Sequence, residues 1–168
     1  MKNHIKRIAS PKSWNIDRRS RVYIIKPKAG AHSLKMGIAL GILLRDELKI
    51  TSTLSETRKL LSNNEVLVDG VRRKEYRHIV GLFDVVSLPL TKQNYRLILD
   101  TKGRITLLSI PTGENGVKLC KVTGKTIISG GKTKINLHDG KNILSDAKVK
   151  VGDSVLLSFP KIELKEVF

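Results

Sequence analysis

Residues 53–73 read Thr53-Leu54-Ser55-Glu56-Thr57-Arg58-Lys59-Leu60-Leu61-Ser62-Asn63-Asn64-Glu65-Val66-Leu67-Val68-Asp69-Gly70-Val71-Arg72-Arg73, and their period changes halfway. The Thr53 hydroxyl can cover a backbone amide while Glu56 reaches back. This capping box predicts a helix over 54–62 with Leu60 and Leu61 facing inward. Asn63-Asn64 stops it. Glu65 to Val68 alternates as a strand, and Asp69-Gly70 is a strong turn signal. Upstream, Leu40, Leu43, Leu44 and Leu48 fall at helical spacing with Ile42 beside them, and Arg45, Asp46, Glu47 and Lys49 supply a polar face. A helix over 34–48 is expected. Downstream comes the basic stretch Arg72, Arg73, Lys74 and Arg77, then a strand over 84–88 that ends before Pro89. Residues 37–91 thus read as a small helix-helix-strand module with basic rims.

The flanks differ in composition. Residues 1–36 carry ten basic side chains against the single acid Asp17, with Pro11, Pro27 and Gly30 and no clear period. Such a segment cannot bury enough apolar surface to order itself. With Trp14, Tyr23, Ile24 and Ile25 among the charges, it reads as a basic arm that gains structure along phosphates. Beyond Lys92–Asn94, short strands are expected at 95–100, 104–110, 118–122, 126–129, 133–137 and 155–159, the first two joined as a hairpin. Gly130-Gly131, Asp139-Gly140 and Gly152-Asp153 punctuate the later ones. This spacing predicts a β-rich, barrel-like domain over 92–168. The fold class expected is α+β.

Across 168 residues, 32 lysines and arginines face 15 acids, a formal charge of +17. An excess of this size points to a polyanionic partner. Only 4% of residues are aromatic, which argues against a base-stacking platform. One cysteine, Cys120, excludes an intramolecular disulfide and a four-cysteine zinc site. The basic start has no apolar signal core. The longest apolar run, Met36 to Leu44, is far short of the roughly 20 residues a membrane span needs, so a soluble, intracellular protein is expected.

Catalytic readings fail individually. Gly124-Lys125-Thr126 and Gly131-Lys132-Thr133 resemble phosphate-loop endings. The earlier glycine such a loop requires is replaced by Leu119 and Thr126 respectively. His4, His32, His78 and His138 lack zinc-motif spacing. His138-Asp139 reads as a turn, Cys120 as a small core residue and Asp84 as a carboxylate without a partner. No catalytic, cofactor or metal residue is expected, nor a small-molecule substrate or a membrane partner. The candidate RNA-binding residues are Lys2, His4, Lys6, Arg7, Lys12, Trp14, Arg18, Arg19, Arg21, Lys26, Lys28, His32 and Lys35 in the arm. Arg45, Lys49, Arg58, Lys59, Arg72, Arg73, Lys74 and Arg77 follow in the module, and Arg104 beyond it. Phosphate contacts would position such a protein on folded RNA.

Particular stretches also carry a resemblance. They are His4-Ile5-Lys6-Arg7 with Ala9, Pro11 and Trp14, then Leu44-Arg45-Asp46, Val66-Leu67-Val68-Asp69-Gly70 and Gly81-Leu82-Phe83-Asp84-Val85. Lys102-Gly103-Arg104, Lys118-Leu119-Cys120-Lys121-Val122 and Asn136-Leu137-His138-Asp139-Gly140 complete the series. In this order they resemble the archaeal/eukaryotic, e-type family of small-subunit ribosomal protein four, and residues 37–91 resemble its S-four-type RNA-binding module. Ala31, where the family often has proline, and Tyr23, where tryptophan is usual, depart from the pattern. The resemblance implies a structural constituent of the small ribosomal subunit that binds and stabilises its ribosomal RNA. It implies neighbouring small-subunit proteins as partners, a cytoplasmic location and no enzymatic turnover. Lys6, Arg7, Lys12 and Trp14 would belong to the RNA-associated arm, and Arg45, Arg58 and Arg72 to the module. The family usually continues into a further small barrel of KOW type, so a short form is expected here, either by loss of that module in this lineage or by truncation of the chain. The rival expectations are a free RNA-binding chaperone and an RNA-modifying enzyme, such as a pseudouridine synthase, that carries the same module.

Overall fold

The computed structural model describes residues 4–145, 148–159 and 162–168. Two hydrophobic clusters organise it, and strands predominate over two short helices. At the N-terminus β1 (Ile5–Lys6) pairs antiparallel with β2 (Tyr23–Ile24). After β3 (Gly37–Ala39) come α1 (Leu40–Ile42) and a π-helical turn, Leu43–Glu47, then α2 (Leu54–Asn63). The short strands β4 (Leu67–Val68), β5 (Val71–Arg72), β6 (Ile79–Gly81) and β7 (Val85–Leu88) follow. A longer hairpin, β8 (Gln93–Leu99) and β9 (Ile105–Ile110), completes a sheet ordered β5-β4-β7-β8-β9. A second sheet, ordered β12-β11-β10-β13-β14, takes β10 (Val117–Ile127), β11 (Thr133–Leu137), β12 (Asn142–Leu144), β13 (Ser154–Ser158) and β14 (Glu163–Val167).

The capping box forms as the sequence predicts. The Glu56 amide donates to Thr53 Oγ1 at 3.2 Å and the Thr53 amide to Glu56 Oε2 at 3.3 Å, covering two of the helix's orphan donors. Asp69 and Gly70 both take positive φ, 50° and 74°. A two-residue turn needs this to match the twist of its strands.

The upstream helix differs from expectation, because it starts at Leu40 rather than Leu34. Residues 37–39 instead pair with β6. Gly37 permits that approach, since a Cβ there would lie 2.9 Å from the Val80 carbonyl oxygen. The first helical amides are already taken, Leu40 N by the His78 carbonyl and Gly41 N by that of Tyr76, each at 2.8 Å. The strands expected at 118–122 and 126–129 are one strand, β10.

The arm differs most. Trp14 is 2% exposed, and Ile24 and Ile25 join Ile38, Leu43, Leu44, Leu61 and Leu97 in the first cluster. Trp14 Nε1 donates to the Gly37 carbonyl at 2.9 Å, and residue 14 bridges to Ile105 in parallel register. The segment cannot order itself, but it can order against a core that the rest of the chain supplies. The boundary expected near 92 lies between β7 and β8, which pair within one sheet.

Candidate nucleic-acid interface

The arm's burial divides the candidate cations into two sets. Arg7 is 4% exposed. Its guanidinium reaches Asp46 Oδ2 at 3.2 Å and the Asp17 carbonyl at 2.5 Å. Arg18 donates to the carbonyls of Ser10 and Pro11 at 2.9 and 2.7 Å. These two arginines stitch the arm together. The His32 side chain is 4% exposed and its Nε2 lies 3.1 Å from Asp84 Oδ2. Arg7, Trp14 and His32 are therefore taken up inside the protein. Lys2 lies outside the described residues.

The second set, exposed or half-buried, gathers where the arm meets the helical segment. A cleft of about 460 Å³ is walled by Arg7, Asp17 and Arg21 from the arm and by Arg45, Asp46 and Lys49 after α1. Arg45 also lines a neighbouring hollow of about 260 Å³ with His4, Tyr23, Lys26, Tyr76 and Arg77. The side chain of Arg45 is held by two bonds to Asp46, 2.7 Å from Nε and 2.9 Å from Nη2. This hydrogen bonding raises its pKa further, so it stays charged. Such a fork is fixed in direction. Arg77 Nε donates to the Lys26 carbonyl at 2.9 Å and ties the hollow's two walls. Arg58 lies with Cζ 4.6 Å from the Tyr76 ring centroid and bonds its hydroxyl at 3.0 Å. His4 meets the Tyr23 ring edge-on at 5.3 Å. The geometry thus brings together His4, Arg21, Lys26, Arg45, Lys49 and Arg77, with Arg58 on Tyr76, residues up to 73 positions apart.

Other candidates are dispersed. Arg72 turns to the end of α2, donating to the Ser62 carbonyl at 3.3 Å. Arg73 lines a small internal cavity with Asp84 and Lys118. Lys28 pairs with Glu75 at 2.6 Å. Lys6, Lys12, Arg19, Lys35, Lys59, Lys74 and Arg104 are exposed. The basic stretch 72–77 is therefore split among four surroundings rather than presented as one patch.

Sequence reasoning missed a second concentration of charge, this one internal. Lys118 is 1% exposed. Its Nζ lies 2.8 Å from Asp69 Oδ2, 3.1 Å from Asp139 Oδ2 and in contact with Asp84 Oδ1. Lys141 adds a bond to Asp69 Oδ2 at 2.8 Å. Burial opposes the Lys118 charge, but the three carboxylates overcome it and raise its pKa. Burial likewise works against ionised Asp84, yet the His32 hydrogen bond and the Lys118 charge hold its carboxyl down to about 2. Nearby, burial pushes the Cys120 thiol up to about 12, so it stays protonated. Gly81 makes room for this packing, since a Cβ there would lie 2.1–2.4 Å from the His32 ring. The cluster joins the β4–β5 turn, the β6–β7 turn, the arm's end and the second sheet. Strand parity was the available signal: Lys118 shares a face of β10 with buried Cys120 and Val122.

The arrangement supplies fixed cations without a nucleophile–base pair, and no group suited to holding a metal occurs among the described residues. No described helix is long and apolar enough to cross a membrane. The profile of ribosomal family S4e matches residues 91–164, and that of the RS4NT (NUC023) domain matches residues 1–35. Small ribosomal subunit protein eS4 of Methanothermobacter thermautotrophicus is 44% identical over 165 residues, covering 98% of this chain and 68% of the relative. That of Methanocella arvoryzae is 40% identical over 166 residues, covering 99% and 70%. The crystal structure of the 30S ribosomal protein S4e from Thermoplasma acidophilum superposes with a TM-score of 0.68 at 30% identity, over 79% of this chain and 69% of that one. With such identity over nearly its whole length, the chain belongs to the small ribosomal subunit protein eS4 family.

Proposed function

We propose that the chain acts as a structural constituent of the small ribosomal subunit by binding folded small-subunit ribosomal RNA through the surface shared by the arm and the helical segment. It is not an enzyme. The observation that carries this reading is the pair of adjoining hollows in which Arg21, Arg45 and Lys49 face the same space, with Arg58 stacked beside them on Tyr76. Cations held in fixed directions on a concave surface suit a ribose–phosphate backbone whose shape is already set.

Functionally, residues 1–36 serve as an RNA-associated segment, 37–91 as an RNA-binding module of S-four type, and 92–168 as the β-rich part whose first hairpin completes the module's sheet. Phosphate contacts position the protein, and the shape of the cleft selects folded RNA. Neighbouring subunit proteins would meet its remaining surface, and its place is the cytoplasmic ribosome.

Hydroxyl-radical footprinting on purified small-subunit RNA tests the reading. Protection of a discrete folded region that disappears with Arg21→Ala/Lys49→Ala is the expected result. Protection unaffected by that variant would place the contact elsewhere and overturn the assignment of this surface.

A further inference from the structure

Strand β10 is 11 residues long, and only its first five pair with β13. Up to Val122 its residues alternate inward and outward. A register shift between Val122 and Gly124 then breaks the pattern, and from Thr123 on the side chains are open. A bulge of this kind re-aims a strand. The rest of β10 continues with β11 as a ribbon whose turn holds Gly130 and Gly131, at φ 89° and 76°. A Cβ at either glycine would meet nothing within 4 Å, so the tip stands clear of the protein.

The ribbon's charge is one-sided. Residues 115–138 contain five lysines and no acid. Lys118 belongs to the internal cluster, and Lys125 bonds the Val149 carbonyl at 3.3 Å. Lys121 and Lys132 are exposed and Lys134 half-exposed, and none of them makes an ion pair among the described residues. Ile127 at the tip is 80% exposed. Of the two glycine-lysine-threonine triplets that fail as phosphate loops, the first lies on β10 opposite residues 134–136 and the second leads into β11 at the turn, with Thr126 opposite Lys134 and Ile127 opposite Thr133.

We propose that this ribbon, with the outward Lys121 at its base, is a second RNA-contacting surface, with Lys121, Lys132 and Lys134 neutralising phosphates of a folded RNA and Ile127 lying against its sugars. The inference rests on the RNA-binding reading above. An acid-free projection is costly in self-repulsion and suits a polyanion. A wide, shallow RNA minor groove accepts such a ribbon by shape, without base stacking.

The test is binding of the full chain to purified small-subunit ribosomal RNA over a range of salt. Each lost phosphate contact lowers the slope of log K against log salt by about 0.7–0.9. Lys121→Ala/Lys132→Ala/Lys134→Ala should therefore reduce it by about two to three. An unchanged slope, with Arg21→Ala/Lys49→Ala still lowering it, would overturn the ribbon contact and leave the cleft reading standing. A salt-independent wild type would overturn both. Ser129→Cys carrying an iron chelate alters no lysine and so does not depend on the triple variant's folding, and buried Cys120 should not compete for the label. RNA cleavage from this position is expected. Absence of cleavage, with the labelled protein still bound, would refute the contact.

Discussion

Around Lys118, one ammonium group meets three carboxylates out of water. In the cleft walled by Arg21, Arg45 and Lys49, Arg21 and Lys49 face open solvent, Arg45 is held against Asp46, and Asp17 is the other acid among its described lining residues. The residue types are the same and their uses are opposite. A buried ion is tolerable only when fully paired, so the Lys118 cluster joins parts of the chain and holds nothing in reserve for a ligand. An exposed cation contributes little to folding and keeps its charge for a partner. A total charge of +17 therefore overstates the internal strain and does not locate the binding surface.

Breaking the buried side should have the largest effect. Lys118→Met leaves three carboxylates facing one another with Lys141 as the remaining lysine, and a loss of about 3–5 kcal/mol in urea unfolding is expected. A loss below 1 kcal/mol would show that the cluster is not what joins the sheets. Gly81→Ala should come next. Its methyl group must displace the His32 ring, which removes one partner of Asp84, and a lowered melting temperature is the readout. Unchanged melting would mean that His32 can move without cost.

The acid limb sharpens the comparison further. The pKa of Asp84 is lower in the folded chain than its ordinary value of 3.8. Its contribution is therefore complete above that value and is lost as pH falls toward about 2. Asp139 is also depressed: burial resists the charge, and Lys118 and Lys141 prevail. Wild-type stability should fall steeply between pH 4 and 2. Asp84→Asn should be less stable at neutral pH and lose less over that window. An identical acid limb in the variant would assign the titration to other groups.

The surface side should respond in the reverse sense. Arg21→Ala/Lys49→Ala should stay within about 0.5 kcal/mol of wild type in folding while RNA affinity drops. Smallest of all, Arg58→Ala should cost RNA binding a few-fold, since it removes one cation and uncovers the Tyr76 face. A folding loss larger than the binding loss in either variant would erase the distinction between the two regions.

Much of the first sheet was legible because its signals are local. Thr53 and Glu56 sit three apart, Asp69-Gly70 can be read as a turn without knowing its surroundings, and two strand-like runs joined by Thr101-Lys102-Gly103 mark β8 and β9. The start of α1 was not legible. Leu40 and Leu43 set a helical period, but β6, some 40 residues later, captures Gly37–Ala39 as a strand. The arm misled for a related reason. Its own composition supports no core, and the residues that bury Trp14 lie at Gly37 and Ile105. The Lys118 cluster draws on four separate segments, so each of its aspartates looked like a turn residue or a stray carboxylate. Candidate cations were legible by type and not by address, because long-range pairing decides which arginines, such as Arg7, are consumed inside.

The central claim, that the exposed cations serve an RNA backbone, is tested most directly by titrating salt against wild-type binding to purified small-subunit ribosomal RNA. Engagement of roughly 6–10 phosphates predicts a fall in affinity of about 10³–10⁵ between 50 and 200 mM, taking the duplex-DNA relation as the upper guide. A nearly flat response would contradict it.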